Sequence, residues 1–431
     1  MKRAVVNIGW LLLDKFMRLS IGLLITMWLA QYLGPTQFGQ MNFVTSIVAI
    51  FAVFATLGLK GVVVKELVNQ PTTTFNVLGS AFFLKVLGAL VTYALLIAFS
   101  FFVLPSTVET KWFIAIVGVS IIFKTSEVVS FYFEAKVESK YVVWVENCAF
   151  VIASGIKLGL LWFEAPLIAF FIAIVIEALL MAFALLFIYQ RQVSSLMNWQ
   201  ATKRKMSSLL SQSWPLIISS AAWVVYTRVD QVMLGTMLDA QAVGLYAAAV
   251  RLTEIANIVP MIITFSMVPL IMPLRADNKD LYQTKFQQVY DLAVGLMIVG
   301  AVLTLFIATD VVGILYGDAY AASTSVLKIH VWTCVFIAMA TVSGKYLLNE
   351  GLQKITMQRH LFGVCLNIPM NYVAIPLYGI EGAAGTSLIS LAMSNYLFDA
   401  FSSRTRLCFI QKSKSLLVIG GLETLWKRLR T

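Results

Sequence analysis

Apolar residues run in long blocks along this chain, and polar residues gather between them. A bilayer span takes about 20 mostly apolar residues. Twelve blocks of that length predict twelve membrane helices, near 8–31, 41–60, 77–103, 112–133, 143–162, 167–189, 214–237, 244–271, 287–308, 326–348, 359–377 and 383–402. The longest connection, 191–213, reads RQVSSLMNWQATKRKMSSLLSQS and leaves six spans on either side. The expected fold class is an all-α polytopic membrane protein with two six-helix bundles. Its domains are 1–190, a cytoplasmic linker 191–213, 214–403 and a basic tail 404–431.

Loop charge sets the expected orientation. With the N-terminus in the cytoplasm, twenty-two lysines and arginines fall on cytoplasmic segments, among them Lys65, Lys136, Arg204, Arg359 and Lys412. Lys111 alone falls on the opposite side. That asymmetry places both termini inside. Composition agrees with a membrane protein: of 431 residues, 60% are hydrophobic and 12% charged. Soluble domains average about 45–50% apolar and about 25% charged. The net charge of +11 therefore marks cytoplasmic loops; no nucleic-acid partner is expected. Four cysteines and two histidines have no metal-ligand spacing, so neither a metal site nor a disulfide framework is suggested.

The first apolar block is longer than the core of a cleaved signal peptide, and is expected to be a retained span. At the other end Leu422, Leu425, Trp426 and Leu429 have helical spacing beside Lys427, Arg428 and Arg430. That tail fits an interfacial amphipathic helix or a disordered basic segment. LGPTQFGQM after the first span and LDAQAVGLY after the seventh are weakly alike. They point to parallel repeats of six spans with a cavity between bundles. Pro260, Pro269 and Pro273 in the eighth span predict bends, either gating or static.

Charges within the spans are the candidate chemistry. An Arg or Asp at a span centre costs roughly 2.5–3.5 kcal/mol. Asp14 with Arg18, Lys124 with Glu127 and Arg251 with Glu254 can each pair on one helix face. Arg228 and Asp230 cannot: two residues apart, they point about 200° from each other. Lys157 and Lys345 have no acid within four positions in their spans. Lys60, at an inner span end, could snorkel to the headgroups. A modest surplus of bases suits an anion with several oxygens, such as a phosphate or diphosphate.

At LGPTQFGQMNF, YTRVDQVMLG with AVGLYAAAVRLTE, LYGDAY and PLYGIEGAAG the chain resembles the Wzx-type flippases of bacterial O-antigen and related polysaccharide synthesis. These belong to the MOP superfamily, which also holds MATE exporters and the lipid II flippase. The resemblance covers spans one to twelve. It implies a MATE-like fold and transport of undecaprenyl-diphosphate-linked oligosaccharide across the inner membrane of a bacterium. Access would alternate around a central cationic cavity. Membrane lipids are implied partners, as are a polysaccharide polymerase and a chain-length regulator. No cofactor is implied beyond a coupling proton or sodium ion. The family's basic residues match Arg18, Lys60, Arg228 and Arg251. The family often has arginine where this chain has Lys60, which offers a point charge without a bidentate fork. With Lys157 and Lys345 these form the candidate substrate-binding set. Asp230, Glu254, Asp14 and Glu127 form the coupling or ion-pair set. Asp230 would either hold Arg228 in place or carry a coupling proton.

A MATE-type multidrug or cation antiporter is the nearest rival. It needs membrane-buried acids and usually takes cationic drugs, which the basic surplus disfavours. A polysaccharide polymerase or ligase is disfavoured by the lack of a long outer loop with a paired-carboxylate or nucleophile constellation.

Overall fold

The computed structural model describes residues 2–417, with side chains from Ile21 onward. The described chain is helical and divides into two compact units, one up to Arg228 and one from Val229. The first holds α1 (Lys2–Ala55), α2 (Leu59–Asn69), α3 (Thr74–Phe102), α4 (Val108–Gly118), α5 (Ser120–Phe123), α6 (Val128–Ala135), α7 (Lys140–Trp162), α8 (Leu167–Gln192) and most of α9 (Lys203–Met237). The second holds the end of α9, then α10 (Ala240–Ala256), α11 (Ile258–Ile271), α12 (Leu274–Asp277), α13 (Lys279–Tyr316), α14 (Ser323–His330), α15 (Thr333–Asn349), α16 (Gln353–Asn395) and α17 (Arg406–Leu416).

Nine stretches among the described residues are long and apolar enough to cross a membrane. The chain is a multi-pass membrane protein. Two of these stretches, Ile21–Asn69 and Gln353–Phe401, run 49 residues each. Straight helices of that length would reach about 73 Å, more than twice the ~30 Å hydrocarbon core. Both break where helical backbone is lost: at Gly34 (φ 67°, ψ 172°), just before Pro35, and at Gly379 (φ 59°, ψ −134°). The breaks fall between the first and second expected spans and between the last two. The seventh expected span lies within α9, which is 35 residues long but more polar than the nine.

Two expectations change. The linker 191–213 is largely helical, because α8 runs on to Gln192 and α9 begins at Lys203. The division between the units then falls inside α9, after Arg228. Arg359 and Lys412, counted as cytoplasmic loop charges, are buried around Asp399. Arg359 Nε donates to its carboxylate at 2.9 Å and Lys412 Nζ at 2.8 Å. The polar face of α17 packs onto α13 and onto the 3₁₀ turn Leu397–Phe401 instead of lying in solvent. The tail beyond residue 417, including Leu422 to Arg430, lies outside the described residues.

Local sequence explains the breaks that shape the first unit. The KTSE segment closes as a 3₁₀ turn, Lys124–Glu127, between α5 and α6. Thr125 and Ser126 return their hydroxyls to the carbonyls of Ile122 and Phe123, at 2.8 and 2.9 Å. Such back-bonding competes with the regular ladder and favours a bend. Between α1 and α2 the chain turns through Leu57 and Gly58, both at positive φ. A Cβ on Gly58 would lie 2.9 Å from the Ile217 nitrogen and the Ser213 oxygen of α9. Glycine there answers both the conformation and the close approach. In the second unit α10 stops at Ala256, four residues before Pro260. A proline ring clashes with the carbonyl four positions back, so the helix restarts at Ile258.

Candidate functional site

The first unit holds a cavity of about 420 Å³ in which Thr56, Lys60, Lys85, Glu127, Glu134 and Ser220 join apolar lining such as Phe131 and Leu216. Helix α2 brings Lys60 in just after the Gly58 turn, and α3 brings Lys85. Glu127 ends the 3₁₀ turn and Glu134 sits on α6. Lys85 is the most enclosed: its ammonium donates to Glu127 Oε2 at 3.1 Å and to the Lys124 carbonyl at 3.0 Å. That carbonyl is available because the 3₁₀ turn loosens the helical ladder. The Phe131 ring lies 5.3 Å from the same ammonium, within reach of a cation–π attraction. Lys60 pairs with Glu134 at 2.9 Å, with side chains 63% and 45% exposed.

This geometry revises several expected roles. Glu127 bonds Lys85 on α3 rather than Lys124 three residues before it. Lys157 pairs with Glu177 on α8 at 2.7 Å. It has no acid within four positions in its own span but finds one on the neighbouring helix. Arg251 and Glu254 pair along one face of α10 at 3.2 Å, as their spacing suggested. Lys345 lies 4.8 Å from the centroid of the Phe265 ring. Arg228 is half-buried on α9. The side chains of Asp14 and Arg18 lie outside the described residues.

Asp230 is the centre of a second polar cluster, within the other unit. Its carboxylate accepts from Tyr246 Oη at 2.8 Å, from Asn371 Nδ2 at 2.6 Å and from the Ser387 hydroxyl. Asn371 Nδ2 also reaches Asn367 Oδ1 at 3.0 Å, and Thr386 donates to the Asn371 side-chain oxygen. The described hydrogen-bond partners of Asp230 are neutral groups from α10 and α16. A buried carboxylate tolerates burial when several donors satisfy it. A carboxylate, two amides and three hydroxyls thus meet in one cluster of hard oxygen ligands.

Sequence reasoning named Lys60 and Glu127 as separate candidates, did not place them together, and missed Lys85 and Glu134. Lys85 carried the signal used for Lys157, a lysine in an apolar run with no acid within four positions. Glu134 stood among loop charges and carried none. The asparagines at 367 and 371 are four apart, hence on one helix face, but nothing local ties them to Asp230.

Residues 4–274 match the family described as polysaccharide biosynthesis protein, and residues 215–373 match the MatE family. The chain is 22% identical over 200 residues to the probable low-salt glycan biosynthesis flippase Agl15 of Haloferax volcanii, covering 46% of this chain and 42% of that protein. It is 20% identical over 187 residues to the capsular polysaccharide biosynthesis protein CapF of Staphylococcus aureus, covering 43% of this chain and 47% of that one. The matches thus span less than half the length of these curated relatives. Among solved structures, lipid II flippase MurJ in an inward closed conformation superposes with a TM-score of 0.74 at 14% identity, covering 94% of this chain and 90% of that one. An inward-facing MATE multidrug transporter gives 0.70 at 11% identity, covering 96% and 98%. At such identities the likeness concerns the fold. More than half of the sequence fits one family profile, and on that ground the chain belongs to the polysaccharide biosynthesis protein family, built on the fold of the MOP superfamily.

Proposed function

We propose that the chain is a flippase, and not an enzyme, that carries an undecaprenyl-diphosphate-linked oligosaccharide from the cytoplasmic to the periplasmic leaflet of a bacterial inner membrane by alternating access. The observation that carries this reading is the cavity in the first unit. It holds two lysines, Lys60 and Lys85, inside a membrane-embedded member of a polysaccharide biosynthesis family. A diphosphate crossing the hydrocarbon unaided faces a prohibitive desolvation barrier. Ammonium groups and hydroxyls such as those of Thr56 and Ser220 replace the lost water, while the polyprenyl tail stays among lipids. Arg18, Arg228, Arg251 and Lys345 are further candidate cations for the headgroup's path.

The proposed topology has twelve spans and both termini in the cytoplasm. The nine apolar stretches, the two glycine breaks and α9 support that count, and the loop charges support the orientation. A polysaccharide polymerase and a chain-length regulator would act on the delivered repeat units. The Asp230 cluster is proposed to couple transport to a sodium ion or a proton. Rotation of the Asn371 amide would turn its oxygen toward a cation beside Asp230.

The reading is tested by expressing the chain in a strain that lacks its polysaccharide flippase. Restored surface polysaccharide supports it. Membrane-inserted protein with no polysaccharide, across strains with different repeat units, contradicts it. One observation favours a second reading, a MATE-type cation antiporter: a buried acid, Asp230, lies within the stretch that matches the MatE family. Dye efflux from cells expressing the chain, in place of polysaccharide export, would establish that alternative.

A further inference from the structure

Helix α16 folds back on itself at Gly379, where φ is 59°. Its two legs, before and after that turn, enclose an apolar groove of about 680 Å³ within the second unit. Val373 and Tyr378 line it from the first leg, and Gly385, Thr386 and Ile389 from the second. At Gly382 the legs touch: a Cβ there would lie 2.4 Å from the Ala374 carbonyl oxygen. One turn further on, a Cβ on Gly385 would meet nothing within 4 Å. Glycine destabilises a helix interior relative to alanine. Close packing accounts for it at Gly382. At Gly385 no neighbouring protein atom does, and what the missing side chain preserves is the groove.

The lining selects the occupant. Among the described lining residues Glu381 alone carries a charge, and Ser325 of α14 donates to its carboxylate at 2.6 Å. A diphosphate is repelled by that carboxylate and finds no cation in the wall. The rim is apolar and open, with Val373 61%, Tyr378 68% and Ile389 47% exposed. Water solvates such a wall poorly, whereas a hydrocarbon chain is at home on it. We propose that this groove holds a segment of the polyprenyl tail of the lipid-linked saccharide while cations elsewhere hold its headgroup. The inference rests on the flippase reading and adds a second subsite for the same substrate.

Two features set the groove apart from a passive contact with bulk lipid. The first is shape. The lining runs from Pro369 to Tyr378 on one leg, about 13 Å along the helix, so it takes a short segment and leaves the rest of the tail among lipids. The gap over Gly385 accommodates the methyl branch of an isoprene unit; a straight acyl chain leaves that gap unfilled and forfeits its contacts. The second is position. Thr386, in the groove wall, donates to the Asn371 side-chain oxygen, and Asn371 Nδ2 donates to Asp230 at 2.6 Å. A chain seated on Thr386 thus touches the residue that orients the Asn371 amide beside the proposed coupling cluster. Acyl chains of bulk lipid are always at hand and would carry no signal there. The tail of the substrate reports that substrate is present.

The test uses the purified full chain in phosphatidylethanolamine–phosphatidylglycerol nanodiscs and a polyprenyl diphospho-N-acetylglucosamine with a diazirine on its tail. Photolabelling followed by peptide mass spectrometry reads where the tail sits. The expected result is labelling within 369–389 that excess unlabelled polyprenyl diphospho-N-acetylglucosamine suppresses. A phosphatidylglycerol with a diazirine on its straight acyl chain should label that segment about tenfold less. Gly385→Leu puts a side chain into the groove without meeting protein. It should cut the labelling and weaken probe binding about tenfold or more, since apolar burial of the chain is lost, at an unchanged thermal midpoint. The labelling map of the unaltered chain decides the question even if Gly385→Leu misfolds. Suppressible labelling confined to other segments, equal labelling by the straight-chain lipid, or full binding by folded Gly385→Leu protein overturns this inference and leaves the flippase reading intact. Failure of the unaltered chain to bind the probe or to show suppressible labelling anywhere overturns the flippase reading itself.

Discussion

The Lys85 ammonium on α3 donates to the Glu127 carboxylate at 3.1 Å, across a cavity wall formed where the KTSE segment breaks its helix. The bond makes a cation that is almost fully enclosed tolerable within the membrane. Replacing Lys85 with Met would leave the Glu127 carboxylate and the Lys124 carbonyl without their donor. Removing one member of a buried pair costs about 3–5 kcal/mol. Glu127 retains some water, so a loss of about 1–3 kcal/mol is expected. Thermal unfolding in detergent should record it, and adding Glu127→Gln should recover part. An unchanged midpoint for Lys85→Met would contradict the pairing.

Lys157 pairs with Glu177 and ties α7 to α8. Reversing either charge should lower surface polysaccharide and protein level together. The swap, Lys157→Glu with Glu177→Lys, should restore both. If Lys157→Gln abolished export at normal stability, and the swap failed, the lysine would be a ligand after all.

At the Asp230 cluster the two conservative changes should separate. Asp230→Ala leaves Tyr246, Asn371 and Ser387 without their shared acceptor, and unsatisfied buried groups cost about 1–3 kcal/mol. Asp230→Asn keeps most of the bonding and the fold. It should abolish any dependence of transport on sodium or pH. Ion-dependent transport by a folded Asp230→Asn protein would remove this residue from coupling.

Lys412 on α17 lies outside the spans, and its behaviour with pH follows from burial. Desolvation first, and the Arg359 charge second, pull its pKa down from 10.5 to about 8, against the attraction of Asp399. Between those values the unfolded chain binds the extra proton. Stability should therefore rise as pH climbs from about 8 towards 10.5 and stay lower, at a constant penalty, below 8. The rise amounts to up to about 3 kcal/mol. Lys412→Met should flatten this window in a pH series of denaturation curves. A wild-type stability that falls across the same window, identically in the variant, would contradict it.

The membrane helices were legible because lipid demands about 20 apolar residues in a row, and the glycines at 34 and 379 fell between blocks. The polar partners were not. Lys157 and Glu177 are 20 residues apart, Asp230 and Ser387 are 157 apart, and no local spacing links them. Reading charges only against their own helix made Lys157 look free and gave Glu127 the wrong lysine. The loop-charge rule could not foresee the burial of Arg359 and Lys412, because it counts charge by position and knows nothing of Asp399. Asn367, Asn371 and Thr386 went unnoticed since uncharged polar residues are common in membrane helices.

The central claim is that cations within the first unit carry a diphosphate headgroup across the bilayer. The most direct measurement reconstitutes the chain in liposomes with a fluorescent polyprenyl-diphosphate oligosaccharide and follows loss of its protection from a membrane-impermeant quencher. The account predicts transfer well above protein-free liposomes, reduced tenfold or more by Lys60→Ala in protein of unchanged thermal stability. Transfer at the protein-free rate, or full activity in the Lys60→Ala protein, would contradict it.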